Sequence, residues 1–214
     1  MNLEAYTEEK ILEDVSRLQY LYGLKKVIRY NQDREATDST ESVAEHVYGM
    51  QLLAQYFLPL EDTEGKLDRA RIYEMITIHD IDEIETGDML GFLKTPEMRA
   101  QELDSMKRSI EKSPLHLQDH MRIRVEEYEA RETLEARFTK AVDKIEPLVQ
   151  IFNEEGRAIL QKNQTTADQS LRIKVPYIQD FPFIKKFAMT VHEKLVEGGY
   201  FWTEGTPDRA TLEG

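Results

Sequence analysis

The sequence predicts an all-α fold, a bundle of roughly six to eight helices in one domain spanning residues 1–214. Three observations lead there. Apolar residues recur at helical spacing along most of the chain, helix-start and helix-stop residues bracket those stretches, and strand patterning is almost absent. Ile11, Leu12, Val15, Leu18 and Leu21 follow Thr7, which reads as a helix cap. Residues 30–41 are polar and turn-like and predict a loop. Ser42 and Glu45 stand at capping-box spacing and open a second helix that carries Val43, Val47, Met50, Leu53 and Ala54 inward. A third helix is expected from about Asp68 through Ile72, Met75, Ile76 and His79, with Gly87 as its stop. Thr95-Pro96 reads as cap and first position of a fourth, and Pro114 opens another. A break is then expected before a long helix bearing Leu134, Phe138, Ala141, Val142, Ile145, Val149 and Phe152, which Pro147 should kink or end. A last helix is expected over about 182–197, before Gly198-Gly199, with a frayed tail after about 203. The segment 172–178 (RIKVPYI) is the best strand candidate, although Pro176 argues against a central strand.

Bulk properties narrow the function. At 214 residues, with 40% hydrophobic and 32% charged residues, the chain can build an ordinary soluble core. No apolar run approaches the ~20 residues that span a bilayer, so no membrane association is expected. The N-terminus is acidic and amphipathic, unlike a signal or transit peptide. Cysteine is absent, which excludes disulfides, thiolate-bound zinc and thiol catalysis and makes a cytoplasmic location the default. The net charge of -13, with basic residues dispersed among acids, argues against a polynucleotide partner. A small anionic substrate stays compatible, because a bound dication and one or two arginines reverse the potential locally.

The chemistry concentrates around His79-Asp80, where Met75, Ile76 and Ile78 lead into Asp80, Asp82, Glu83, Glu85 and Asp88. So many acids at a helix end repel one another and oppose the helix dipole, and a bound dication would offset both costs. His79 and Glu83 are four apart and are expected on one helical face a turn from each other, with Asp80 about a quarter turn away. His46 lies among Val43, Val47 and Met50, so its ring should face inward. Asp143 lies between Val142 and Ile145, where a carboxylate costs several kcal/mol to bury unless it is paired or metal-bound. Each has a plainer reading. His79-Asp80 could be a helix-end hydrogen bond, His46 a core histidine, and Asp143 a partner for Lys140 or Lys144. Asp82 and Glu85 read as exposed acids. His116 and His120 stand four apart, as a metal pair would, but both would come from one helix. His192 reads as structural.

The order of these residues, with the motifs ESVAEHVYGM, IHDIDEIETGD and KAVDKIEPL, resembles the HD-domain superfamily of metal phosphohydrolases. The likeness covers roughly residues 10–155 and is strongest to the compact HD-domain 5′-deoxynucleotidases. It implies a helical fold, a divalent ion, hydrolysis of a small phosphorylated substrate, expected to be a nucleoside 5′-monophosphate, and a homodimer. By position, His46, His79, Asp80 and Asp143 correspond to metal ligands and Glu83 to the catalytic acid/base. Asp88 corresponds to the acid of a TGD turn beside the substrate. Arg29 corresponds to an arginine that holds the phosphate, and Tyr30 stands where the pattern carries tryptophan. Arg34 is the alternative to Arg29. Two imidazoles and two carboxylates suit one Mn, Co, Zn, Ni or Fe ion better than Mg. Such an ion would acidify a water and polarise the phosphoryl group. Two further readings are an HD-type phosphodiesterase or nucleotide pyrophosphohydrolase, and a non-catalytic helical module stabilised by its metal; Glu83 argues against the second.

Overall fold

The architecture is that of a computed structural model, which describes residues 7–30 and 40–204, with nothing said of the Phe92 side chain. Residues 31–39, which include Arg34, and the tail from 205 lie outside the described residues, so the loop and frayed-tail expectations fall largely beyond them. The described chain forms helices α1 (Glu8–Leu21), α2 (Val43–Glu61), α3 (Arg69–Ile78), α4 (Glu83–Thr86) and α5 (Pro96–Lys112). There follow α6 (Leu115–Ala130), α7 (Leu134–Gln150), α8 (Glu154–Lys162), α9 (Ala167–Arg172) and α10 (Pro182–Glu197). All but the short α4 and α9 run nine residues or more. Among the described residues there is no strand: 172–178 closes α9 and enters a 3-10 turn at Val175–Tyr177, and the one β-type pairing is an isolated bridge between Ile28 and Ser42. No described helix is long and apolar enough to cross a membrane.

Local chemistry explains most boundaries. Thr7, Asp68, Thr95, Thr133 and Asn153 each accept a backbone N–H from the first turn of their helix. Ser42 and Glu45 complete a reciprocal capping box: the Glu45 N–H donates to Ser42 Oγ at 3.3 Å, and the Ser42 N–H donates to Glu45 Oε2 at 2.7 Å. Pro147 does not end α7, which continues to Gln150. A proline three residues from a helix end removes one bond without unravelling the turns before it.

α7 is the axis of the bundle and packs on α2, α3, α6 and α10. Its buried stripe is Phe138, Ala141, Val142, Ile145 and Leu148, while Leu134, Val149 and Phe152 from the expected pattern are exposed. On α1, Ile11, Leu12, Val15 and Leu18 form the predicted helical stripe yet remain 38–61% exposed; the buried residue of that helix is Asp14, which Lys10 pairs at 2.9 Å. Helical periodicity reported the helix correctly here, but not which neighbour would cover it.

The third helix departs most from expectation. It stops at Ile78 rather than running to Gly87, and His79 caps it. The chain turns through Asp80–Asp82 before α4 begins at Glu83. His79 and Glu83 therefore belong to different segments and do not share a helical face. The physical reason is the acid run itself: carboxylates at a helix C-terminus oppose the dipole and repel one another at helical spacing. The break is secured by Ser105 Oγ, which donates to the Asp82 carbonyl at 3.0 Å, and by Gly87 at φ 72°, a left-handed value that suits glycine. It also turns Asp82 inward, against the expectation of an exposed acid.

Ser42→Ala removes half of the α2 capping box beside the bridge to Ile28. It is expected to cost about 1 kcal/mol, read as a lower urea midpoint with an unchanged slope.

Candidate metal centre

Three helical segments bring the candidate ligands together. His46 comes from the first turn of α2, His79 and Asp80 from the break after α3, and Asp143 from the middle of α7. His46 Nε2 lies 3.6 Å from Asp143 Oδ1 and 3.9 Å from Asp80 Oδ2, while His79 Nε2 lies 2.9 Å from Asp80 Oδ2. One ligand atom each from His46, His79 and Asp143 falls within 4.8 Å of the others, with all three residues buried. The two imidazole rings stand 5.7 Å apart.

The remaining atoms of these residues are already committed. The N–H on His46 Nδ1 donates to Glu146 Oε2 at 2.7 Å, and that on His79 Nδ1 donates to the Ile76 carbonyl at 2.9 Å. These bonds select the tautomer that leaves each Nε2 as an acceptor, the usual second-shell arrangement behind a metal-bound histidine. Both Nε2 atoms are buried without a hydrogen-bond partner. Two orphaned imidazole nitrogens facing two carboxylate oxygens fit a divalent cation. On Asp143, Oδ2 accepts from Tyr128 Oη at 2.8 Å and pairs with Lys140 and Lys144 at 3.0 Å each, so Oδ1 is the free oxygen. Asp143 thus keeps its predicted lysine partners and still faces the histidines. Burial works against the charged form of Asp80, but the adjacent His79 imidazole outweighs it and holds the carboxyl well below the usual range.

A second buried triad, Glu41, His46 and Glu146, lies behind the first. Arg29 occupies it: Nη1 pairs with Glu41 at 2.7 Å and with Glu146 at 3.2 Å, and Nε lies 3.6 Å from Asp88. The guanidinium is the cation of that cluster, so the triad needs no metal. Gly49 makes the arrangement sterically feasible: a Cβ there would meet Glu146 Oε1 at 2.8 Å.

The centre opens on a cleft of about 580 Å³, within the range of small-molecule sites. Arg29, Tyr30, Glu83 and Asp88 line it with His79, Asp80 and Asp143. Glu83 is buried, with Oε2 unpartnered. Burial and the charges of Asp80 and Asp88 raise its carboxyl well above the usual range against the pull of Arg29. Burial and Asp80 likewise lift Asp82 to about 7. Asp88 Oδ2 accepts the Tyr30 N–H at 2.9 Å, and Asn163 Nδ2 donates to the Tyr30 carbonyl at 3.0 Å. These bonds hold Tyr30 at φ 63°, an uncommon value for a bulky residue. The Arg29 guanidinium lies 4.9 Å from the Tyr30 ring centre. His116 and His120 are exposed on α6, where His120 meets Glu74 at 3.3 Å. The His192 Nε2–H donates to the Ala167 carbonyl at 3.1 Å.

The family model of the HD domain matches residues 21–184. The chain belongs to the HD-domain family. Among curated relatives of this HD domain, the 5′-deoxynucleotidase HDDC2 of Bos taurus is 30% identical over 129 residues, 59% of this chain and 60% of that protein. The 5′-deoxynucleotidase hdd1 of Schizosaccharomyces pombe is 26% identical over 154 residues, 69% of this chain and 75% of its own length. The match thus spans less than two thirds of the cattle relative. A crystal structure of a protein described as a predicted metal-dependent phosphohydrolase, from Magnetospirillum magnetotacticum MS-1, superposes with a TM-score of 0.75. It is 24% identical, and the superposition covers 92% of this chain and 97% of that one, which shows a shared fold.

Several residues of this HD domain escaped the sequence reading. Glu146 carried a signal: it is three residues beyond Asp143 on the same apolar helix face. Glu41 was masked by the adjacent Ser42 cap. Tyr128 gave none, because its role depends on α6 packing over α7.

Two outcomes are expected. Burial and the Arg29 charge push the His46 imidazole down, but the Asp143 and Glu146 carboxylates outweigh them and lift it to about 9. A dication binds the deprotonated ring, so binding releases that proton. Apparent affinity should fall as pH drops below about 9, by up to about tenfold per pH unit. Calorimetry in buffers of different ionisation enthalpy reads the released proton; affinity unchanged across that range would contradict the site. Gly49→Ala, by displacing Glu146 from His46, should weaken Mn binding about tenfold without loss of helical circular dichroism.

Proposed function

We propose that this HD domain is a divalent-metal-dependent phosphohydrolase that cleaves nucleoside 5′-monophosphates, deoxyribonucleotides among them, to nucleoside and phosphate. The observation that carries the reading is the pair of buried, unpartnered Nε2 atoms of His46 and His79 facing Asp80 and Asp143 at a cleft that also holds Glu83. The names of the curated relatives support the substrate class.

His46, His79, Asp80 and Asp143 would hold the ion, and this N2O2 set suits Mn, Co, Zn, Ni or Fe better than Mg. When bound, the ion supplies Lewis acidity and a water of lowered pKa. The rest of the chemistry belongs to the chain. Glu83 takes a proton as the water oxygen attacks phosphorus, and returns it to the 5′-oxygen as the P–O bond breaks. A carboxylate with raised proton affinity suits that exchange. Arg29, whose buried Nε has no hydrogen-bond partner, faces the phosphate with Tyr30 beside it. Asp88 holds the turn that presents both.

The test begins with metal-stripped protein reconstituted separately with Mn, Co, Zn or Mg. A panel of nucleoside mono-, di- and triphosphates and cyclic nucleotides is then assayed. Monophosphates should release phosphate, and Glu83→Gln should lower kcat about 100- to 10,000-fold with metal content unchanged. Full metal occupancy without turnover on any substrate would instead mark a structural site. Undiminished activity in His79→Ala would remove the metal assignment.

A further inference from the structure

Cations line the same cleft: Arg29 and Lys174 are buried and Lys140 and Lys144 half-buried, and of these four all but Lys174 are paired with acids. Lys140 and Lys144 share Asp143, and Arg29 has three carboxylates around it. Lys174, in the turn between α9 and the Val175–Tyr177 turn, is 5% exposed and also lines the cleft. Its ammonium donates to Ser170 Oγ at 3.0 Å and to the Ser170 carbonyl at 3.2 Å, both neutral acceptors. Among the described residues no carboxylate lies within ion-pair distance of it.

A buried cation without a counter-charge is unfavourable in an unliganded protein. Burial and the like charges of Lys144 and Arg29 push Lys174 down to about 7, with Asp143 alone opposing. Capping the carbonyl end of α9 does not account for such a residue. Arg172 already stands in that last turn, exposed and paired to Asp168 at 2.7 Å, where a cation costs little. An ammonium carries three donors, and Ser170 takes two.

We propose that Lys174 is a substrate-positioning residue that supplies counter-charge to the phosphate from the α9 side of the cleft. Its ligand is an oxyanion: the phosphoryl group of a monoester, or released orthophosphate. The inference rests on the phosphohydrolase reading for its substrate, but the anion site can be tested without turnover.

Orthophosphate binding to the Mn-loaded protein, measured by calorimetry, is the probe. Lys174→Met should weaken it at least about tenfold, with Mn stoichiometry unchanged and Tm no lower than in the wild type. With a monophosphate substrate, KM should rise more than kcat falls, and Lys174→Arg should recover part of the loss. Lys174→Gln, which can still bond Ser170, should show the same loss and serves if the methionine variant does not fold. Orthophosphate affinity and KM unchanged in either neutral variant would overturn the proposal, as would no orthophosphate binding to the wild type. A Lys174-dependent orthophosphate site in a protein that hydrolyses nothing would leave this inference standing and remove the phosphohydrolase reading. Hydrolysis with Lys174-independent orthophosphate binding would do the reverse.

Discussion

Two carboxylates buried one helical turn apart on α7 govern the rest of the molecule. Asp143 and Glu146 sit on the most enclosed helix of the bundle, where an uncompensated charge is strongly disfavoured. Each is answered by groups from elsewhere. Glu146 takes the His46 ring N–H and the Arg29 guanidinium; Asp143 takes Tyr128 and two lysines on one oxygen. The consequence is directional. His46 is turned so that Nε2 points at the remaining oxygen of Asp143, and His79 is turned the same way by the Ile76 carbonyl. The outer atoms of these side chains are thus paired, and the unpartnered Nε2 atoms of His46 and His79 are left facing one point, a candidate cation site.

The acid run after α3 completes that point by breaking a helix. Had the helix continued, His79, Asp80 and Glu83 would have been fixed to one cylinder at helical spacing. The break lets His79 cap α3, sends Asp80 towards both imidazoles, and seats Glu83 in the wall of the cleft. Repulsion among like charges, usually a cost, here shapes the backbone. The cleft also reconciles a strongly acidic chain with the proposed anionic substrate. Acids gather at the candidate metal centre, while Arg29, Lys140, Lys144 and Lys174 border the same space.

Much of this was legible in the sequence, for identifiable reasons. Helix starts depend on contacts three residues apart, so Thr7, Ser42, Asp68 and Thr95 announced them correctly. His46 and Asp143 stood out because polar residues interrupted apolar helical faces, and His79-Asp80 because an acid cluster followed an apolar run. Periodicity was less informative about burial. The apolar stripe of α1 is helical and yet exposed, and the outer apolar residues of α7 face solvent. α8 was not anticipated, since it carries only Ile159 and Leu160 as a buried apolar signal.

By itself, then, the sequence determined the helical class and most helix starts, and it picked out the candidate ligands His46, His79, Asp80 and Asp143, because propensity, capping and side-chain chemistry are local. The tertiary structure alone decided that Glu146 and Tyr128 orient the candidate ligands, that Arg29 pairs with Glu41, and that Lys174 stands in the cleft without an acid. Those outcomes join residues up to 117 positions apart, as with Arg29 and Glu146. They depend on which helix faces pack together, and no spacing within one helix encodes that choice.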